Sequence, residues 1–149
     1  MISFRLKKRV QLLNTILLFI SQLEIYIEFL SLSLPQIVKE ASKNVLYQDL
    51  DFIITCDSYL NGSLDFPQAW LMSVSESKLP FNKQEKEKLI QLFSVLGTSD
   101  IDGQKQMLSL YKGYFQQYCD EAAENQKKYG NLSVVCGVFM GCLLFVLLI

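Results

Sequence analysis

The stretch LSVVCGVFMGCLLFVLLI, residues 132–149, decides the reading of this chain. It carries no charge, and Ser133 is its one polar side chain of the usual kind. An α-helix rises about 1.5 Å per residue, so the run covers about 27 Å, close to a bilayer hydrocarbon core of ~30 Å. Residues 129–131 extend it to full depth. Soluble helices of this length keep a polar face, which argues against a buried core helix. Ahead of the run stand Lys127, Lys128 and Tyr129, two cations and an aromatic of the type found at membrane interfaces. No cation follows, so the positive-inside rule puts the lysine side in the cytoplasm. With Ile149 as the last residue, nothing is expected to fold beyond the bilayer. The expected organisation is all-α: a cytoplasmic helical-bundle domain over residues 1–130, then a C-terminal transmembrane helix over residues 131–149.

Composition narrows the chemistry. About 130 residues precede the apolar run, enough for one domain with its own core. The net charge is −1, so there is no basic footprint for nucleic acid. The chain has no histidine, which removes His-based acid–base catalysis, Ser-His and Cys-His nucleophile pairs, and His-containing zinc sites. Cys56, Cys119, Cys136 and Cys142 form no C-x-x-C and read as small apolar packing residues of a reducing compartment. No cofactor and no metal are expected.

The N-terminus places Arg5, Lys7, Lys8 and Arg9 before an apolar-rich stretch, residues 10–34. The charge order resembles a signal peptide, but Gln11, Asn14, Gln22, Glu24 and Glu28 interrupt it, and no small-x-small cleavage site follows. A long amphipathic helix fits better. Leu13, Ile16, Leu17, Ile20, Leu23 and Ile27 recur at spacings of three and four. Its basic start suits anionic headgroups, or is simply a solvated first turn.

Further helices follow from local signals. Ser33-Leu34-Pro35 ends the first helix and starts a second that reaches Asn44. Leu46, Leu50, Ile53, Ile54 and Leu60 are candidates for the face of a third, ending at Asn61-Gly62. Asp49 and Asp51 resemble a carboxylate pair, but residues two apart on a helix point to different faces, so both read as solvated, with Asp57. Asp65-Phe66-Pro67 starts a helix carrying Trp70, a core filler. Asn82 and Glu85 fit a capping box for a helix running through Leu89, Leu92, Phe93 and Leu96 to Gly97. Asp100 or Ser99 caps the last helix. Its stripe is Ile101, Gln104, Leu108, Tyr111, Phe115, Tyr118 and Ala122, with no breaker before Gly130. The count is five or six helices, with no strand signal.

Within the apolar run Ser133, Gly137 and Gly141 recur every four residues, the small-x-x-x-small spacing that lets membrane helices approach closely. This row favours a helix–helix contact, with a second copy or another membrane subunit.

Leu96, Gly97, Asp100 and Gln104, followed by one long helix, Lys128-Tyr129 and a glycine-bearing apolar end, resemble the stage III sporulation protein AB family of endospore-forming bacteria. Gln22-Leu23-Glu24 and Ala69-Trp70 also align. One departure is that members of that family usually begin with a membrane helix before the basic stretch, whereas here only residues 1–4 precede Arg5.

The resemblance implies a non-enzymatic subunit. The family's soluble part is similar to the cytoplasmic helical domains of the platform protein in type II secretion and type IV pilus machines. By that analogy the chain sits in the mother-cell membrane around the forespore, within a channel-like complex. It would couple a secretion-type cytosolic ATPase to other membrane subunits. The corner residues admit two roles, fixing the turn between two helices or touching a partner. Two rivals remain. A tail-anchored Bcl-2-like regulator would need an apolar groove for a partner helix, and no motif for one is visible. A membrane-bound enzyme would need a nucleophile–base pair, a metal set or a phosphate loop, and none is present in the sequence.

Overall fold

The structure, a computed structural model, describes residues 2–96 and 100–149, with the side chains of Ile2, Ser3, Ile101 and Ser133 outside that description. The described residues form six α-helices: α1 Ile2–Glu28, α2 Leu34–Lys43, α3 Asp51–Asn61, α4 Phe66–Glu76, α5 Lys83–Leu96 and α6 Ile101–Leu148. A single 3-10 turn, Val45–Tyr47, lies between α2 and α3. No strand occurs among the described residues.

The two long helices, α1 and α6, pack antiparallel as the spine of the molecule, and α2 to α5 wind beside them, each against its neighbour in sequence. The α1 stripe is buried as its spacing predicts: Leu13, Ile16, Ile20, Leu23 and Ile27 are in the core, with Leu17 half-buried. Leu12 and Phe19 widen the stripe beyond the expected face. In α6, Leu108, Tyr111, Phe115, Tyr118 and Ala122 are buried against α1 and α5.

A second focus is aromatic. Trp70 lies 4.0 Å from Phe93 between ring centroids and 5.6 Å from Phe52, edge-on. Its indole N–H donates to the Leu89 carbonyl at 2.8 Å, so the one polar atom of a buried tryptophan has a partner. This ties α4 to α5.

The third helix ends at Asn61 with Gly62 as its C-cap, as expected, and Ser63 takes the left-handed backbone just beyond (φ 74). Three expectations are corrected. First, α1 begins at Ile2, so the basic residues lie inside the helix, and it ends at Glu28, five residues before Ser33. Ser31 takes a left-handed backbone (φ 50) and Leu32 N–H closes onto the Tyr26 carbonyl, which turns the chain early. Second, Leu46 and Ile54 are exposed, not on the buried face with Leu50 and Ile53. The Asn44 side chain accepts from Leu46 N–H at 3.0 Å and starts the 3-10 turn, so the helical register restarts at Asp51 and buries Phe52, Ile53 and Cys56. Third, Asp51 is not merely solvated. Its carboxylate accepts from Ser77 Oγ at 2.6 Å and from Lys78 N–H at 3.2 Å, fastening the chain beyond α4 to the start of α3.

Candidate functional site

The corner between α5 and α6 is built from short-range capping. Leu96, the last residue of α5, is buried. Gly97 lies outside the described residues. Asp100 has extended backbone, and its side chain accepts from Gly103 N–H at 2.9 Å, so it is the N-cap of α6. Gln104 N–H donates to the Asp100 carbonyl at 2.8 Å. The Gln104 side-chain amide reaches back and donates to the Leu96 carbonyl at 2.6 Å. The last carbonyls of a helix lack partners within it, so Gln104 satisfies one of them and straps the two helices together. Leu96, Asp100 and Gln104 are thus brought together, and the geometry they make is a braced turn.

The capping box at α5 does more than its spacing suggests. Glu85 N–H donates to the Asn82 side chain at 2.8 Å, and Asn82 N–H donates to Glu85 Oε2 at 3.0 Å. The other carboxylate oxygen pairs with the Arg9 guanidinium of α1. Glu85 is 0 % exposed, and Arg9 is 19 % exposed. The Arg9 Nε is buried with no hydrogen-bond partner among the described residues. Arg9 stands four residues before Leu13 and so continues the buried face of α1. The same spacing sets Lys8 before the buried Leu12, so what singles out Arg9 is its partner Glu85 on α5, while Lys7 and Lys8 stay exposed.

The remaining titratable groups of the core are not set up for reaction. Burial pushes the Cys56 thiol up to about 12 and the Cys119 thiol to about 11. Reactive cysteines need the opposite shift. Burial also raises Tyr47 and Tyr111 above the usual phenol range. No group of three or more potential metal ligands occurs among the described residues.

The far end of α6 has a different character. Lys127, Lys128 and Tyr129 are exposed, and Gly130 is half-buried. From Leu132 onward the described side chains are apolar and exposed, from Val135 at 55 % to Ile149 at 90 %. The helix crosses the expected boundary at residue 130 without interruption, so what changes there is burial, not backbone. A side chain added at Gly137 or Gly141 would meet nothing within 4 Å. The segment Asp102–Leu148 is long and apolar enough to cross a membrane, as is Phe4–Glu28, although that helix is partly buried in the bundle.

These features define a class: a helical bundle whose last helix leaves the core as an unpacked apolar rod, with no assembled catalytic constellation among the described residues. The chain belongs to the stage III sporulation protein AB family, whose model matches residues 1–149, the whole chain. The family is one of sporulation proteins. No curated protein and no solved structure matches the chain.

Proposed function

We propose that this chain is a non-enzymatic membrane subunit of a secretion-like channel complex between mother cell and forespore. Its bundle sits on the cytoplasmic side of the mother-cell membrane around the forespore, and residues 131–149 cross that membrane. It couples a secretion-type cytosolic ATPase to the other membrane subunits.

The observation that carries this reading is the exposure of the apolar end of α6. A soluble protein would hide such a surface, because burying it gains roughly 25 cal/mol per Å². Here it is presented on all sides, and hydrocarbon is the environment that suits it. Lys127 and Lys128 then fall at the cytoplasmic headgroups. Membership of a sporulation family supports the cellular setting. The braced corner and the continuous α6 suit a part that transmits displacement.

The test is fractionation of sporulating cells. The full chain is expected to stay in the membrane after carbonate extraction, and a chain ending at residue 130 is expected in the soluble fraction. Crosslinking from cysteines introduced on the exposed faces of α1 and α6 is expected to capture an ATPase subunit. Release of the full chain by carbonate would overturn the membrane assignment, and crosslinks that never include an ATPase would overturn the coupling role.

A further inference from the structure

Two basic stretches more than 100 positions apart in sequence meet at one end of the spine. Two side-chain contacts fix the register of α1 against α6. Lys105 Nζ lies 2.9 Å from Glu28 Oε1, and Cys119 Sγ lies 3.6 Å from Asn14 Oδ1. The two contacts are fourteen residues apart on each helix, so the helices keep step. Nine residues further along, Arg5 comes level with Lys128 and Phe4 with Tyr129. Half-buried Leu6 on α1, with Gln126 and Gly130 on α6, follows from pairing that continues to this point. The first turn of α1, residues 2–5, therefore lies level with residues 128–131, just before the exposed apolar run begins at Leu132.

Arg5, Lys7, Lys8, Lys127 and Lys128 are all exposed there, and none of the five is in an ion pair among the described residues. The acidic groups at this level are Glu121 and Glu124 on α6 and Asp49, fewer than the five cations. A cleft of about 290 Å³ opens among Phe4, Lys7, Lys8, Gln11, Leu12 and Asp49. Phe4 is 72 % exposed beside it.

We propose that the start of α1 and residues 127–129 of α6 form one binding surface for anionic phospholipid headgroups. Lys7 and Lys8 hold phosphate oxygens at the cleft, and Arg5, Lys127 and Lys128 complete the positive field. Phe4 and Tyr129 enter the boundary between headgroups and acyl chains. The choice of lipid over another anion follows from position: the surface adjoins the start of the apolar run and carries an exposed aromatic ring from each helix. The proposal rests on the reading that residues 131–149 enter a bilayer.

The test uses the full chain reconstituted into vesicles of phosphatidylcholine alone or of equal parts phosphatidylcholine and phosphatidylglycerol. Amine labelling of Lys127 and Lys128 is read by mass spectrometry. A basic residue near an anionic surface is worth about a fivefold change in partitioning, so labelling is expected to slow about fivefold in the anionic vesicles. High salt is expected to abolish the difference. Combined Arg5→Gln, Lys7→Gln and Lys8→Gln substitutions are expected to restore labelling of Lys127 and Lys128, because the surface is shared, whereas Lys7→Arg with Lys8→Arg is expected to keep the protection. Equal labelling in both vesicles, with the chain carbonate-resistant in both, would overturn the headgroup surface and leave the membrane helix standing. A chain that floats only with anionic vesicles and is stripped by carbonate would support the headgroup surface and overturn the membrane helix.

Discussion

Arg9 of α1 and Glu85 of α5, 76 positions apart, form an ion pair whose carboxylate is wholly buried and whose second oxygen caps α5. One side chain therefore closes the bundle and starts a helix at the same time. Removing the cation leaves an uncompensated carboxylate in the core, which costs ~3–5 kcal/mol when both partners are fully buried. Arg9 keeps some contact with water, so Arg9→Met is expected to cost about 2–3 kcal/mol. Adding Glu85→Gln, which retains an oxygen for the Asn82 amide, is expected to recover part of it. Thermal melts of the full chain in detergent measure both, and a loss under about 1 kcal/mol for Arg9→Met would contradict the assignment.

The corner predicts a pair of small, separable losses. Asp100→Ala removes the N-cap of α6 and is expected to cost about 1 kcal/mol. Gln104→Ala frees the Leu96 carbonyl and is expected to cost a similar ~1 kcal/mol. If these residues act only as a brace, partner capture falls no further than the folded fraction does. Unchanged melting with lost capture would make the corner a contact surface instead.

Alkaline pH is expected to weaken the fold through Cys56. Burial raises its pKa from 9.0 to about 12, so above pH 9.0 the unfolded chain releases a proton that the folded chain keeps. The contribution of this group is complete below pH 9.0 and is lost as pH rises towards about 12. Denaturant midpoints measured across that window should decline, and less steeply in Cys56→Ala. The buried tyrosines Tyr47 and Tyr111 are shifted in the same direction and leave a residual decline.

Thiol labelling separates the two halves of the molecule. Cys56 and Cys119 are buried and raised, so maleimide should spare them in the folded chain. Cys136 and Cys142 are exposed on the apolar end of α6. A membrane-impermeant maleimide should reach them only after the bilayer is dissolved, and rapid labelling in intact membranes would place that end in water.

Gly137→Leu and Gly141→Leu are expected to weaken co-purification with neighbouring membrane subunits while leaving carbonate resistance intact. The glycines leave open space around the helix, and leucine there would hold a partner backbone away. Unaltered co-purification would show that the row has no packing role.

Much of the fold is legible because its signals are local. Leu13, Ile16, Ile20, Leu23 and Ile27 repeat at helical spacing, and Asn82, Glu85 and Asp100 announce helix starts within three or four residues of the groups they cap. What escapes is long-range. Arg9 reads as one more solvated cation because its partner lies in another helix. Asp51 reads as solvated because Ser77 lies 26 positions away. Leu46 and Ile54 fit a helical face until one side-chain bond from Asn44 resets the register. The convergence of the two basic stretches is equally invisible, since it follows from the antiparallel pairing of α1 and α6 and from no single motif.

That pairing has a last consequence. α6 runs 48 residues with no proline and no break between the layer that Gln104 braces and the tip at Leu148, a shaft of about 72 Å. Over that length a tilt at the base becomes a wider sweep at the end.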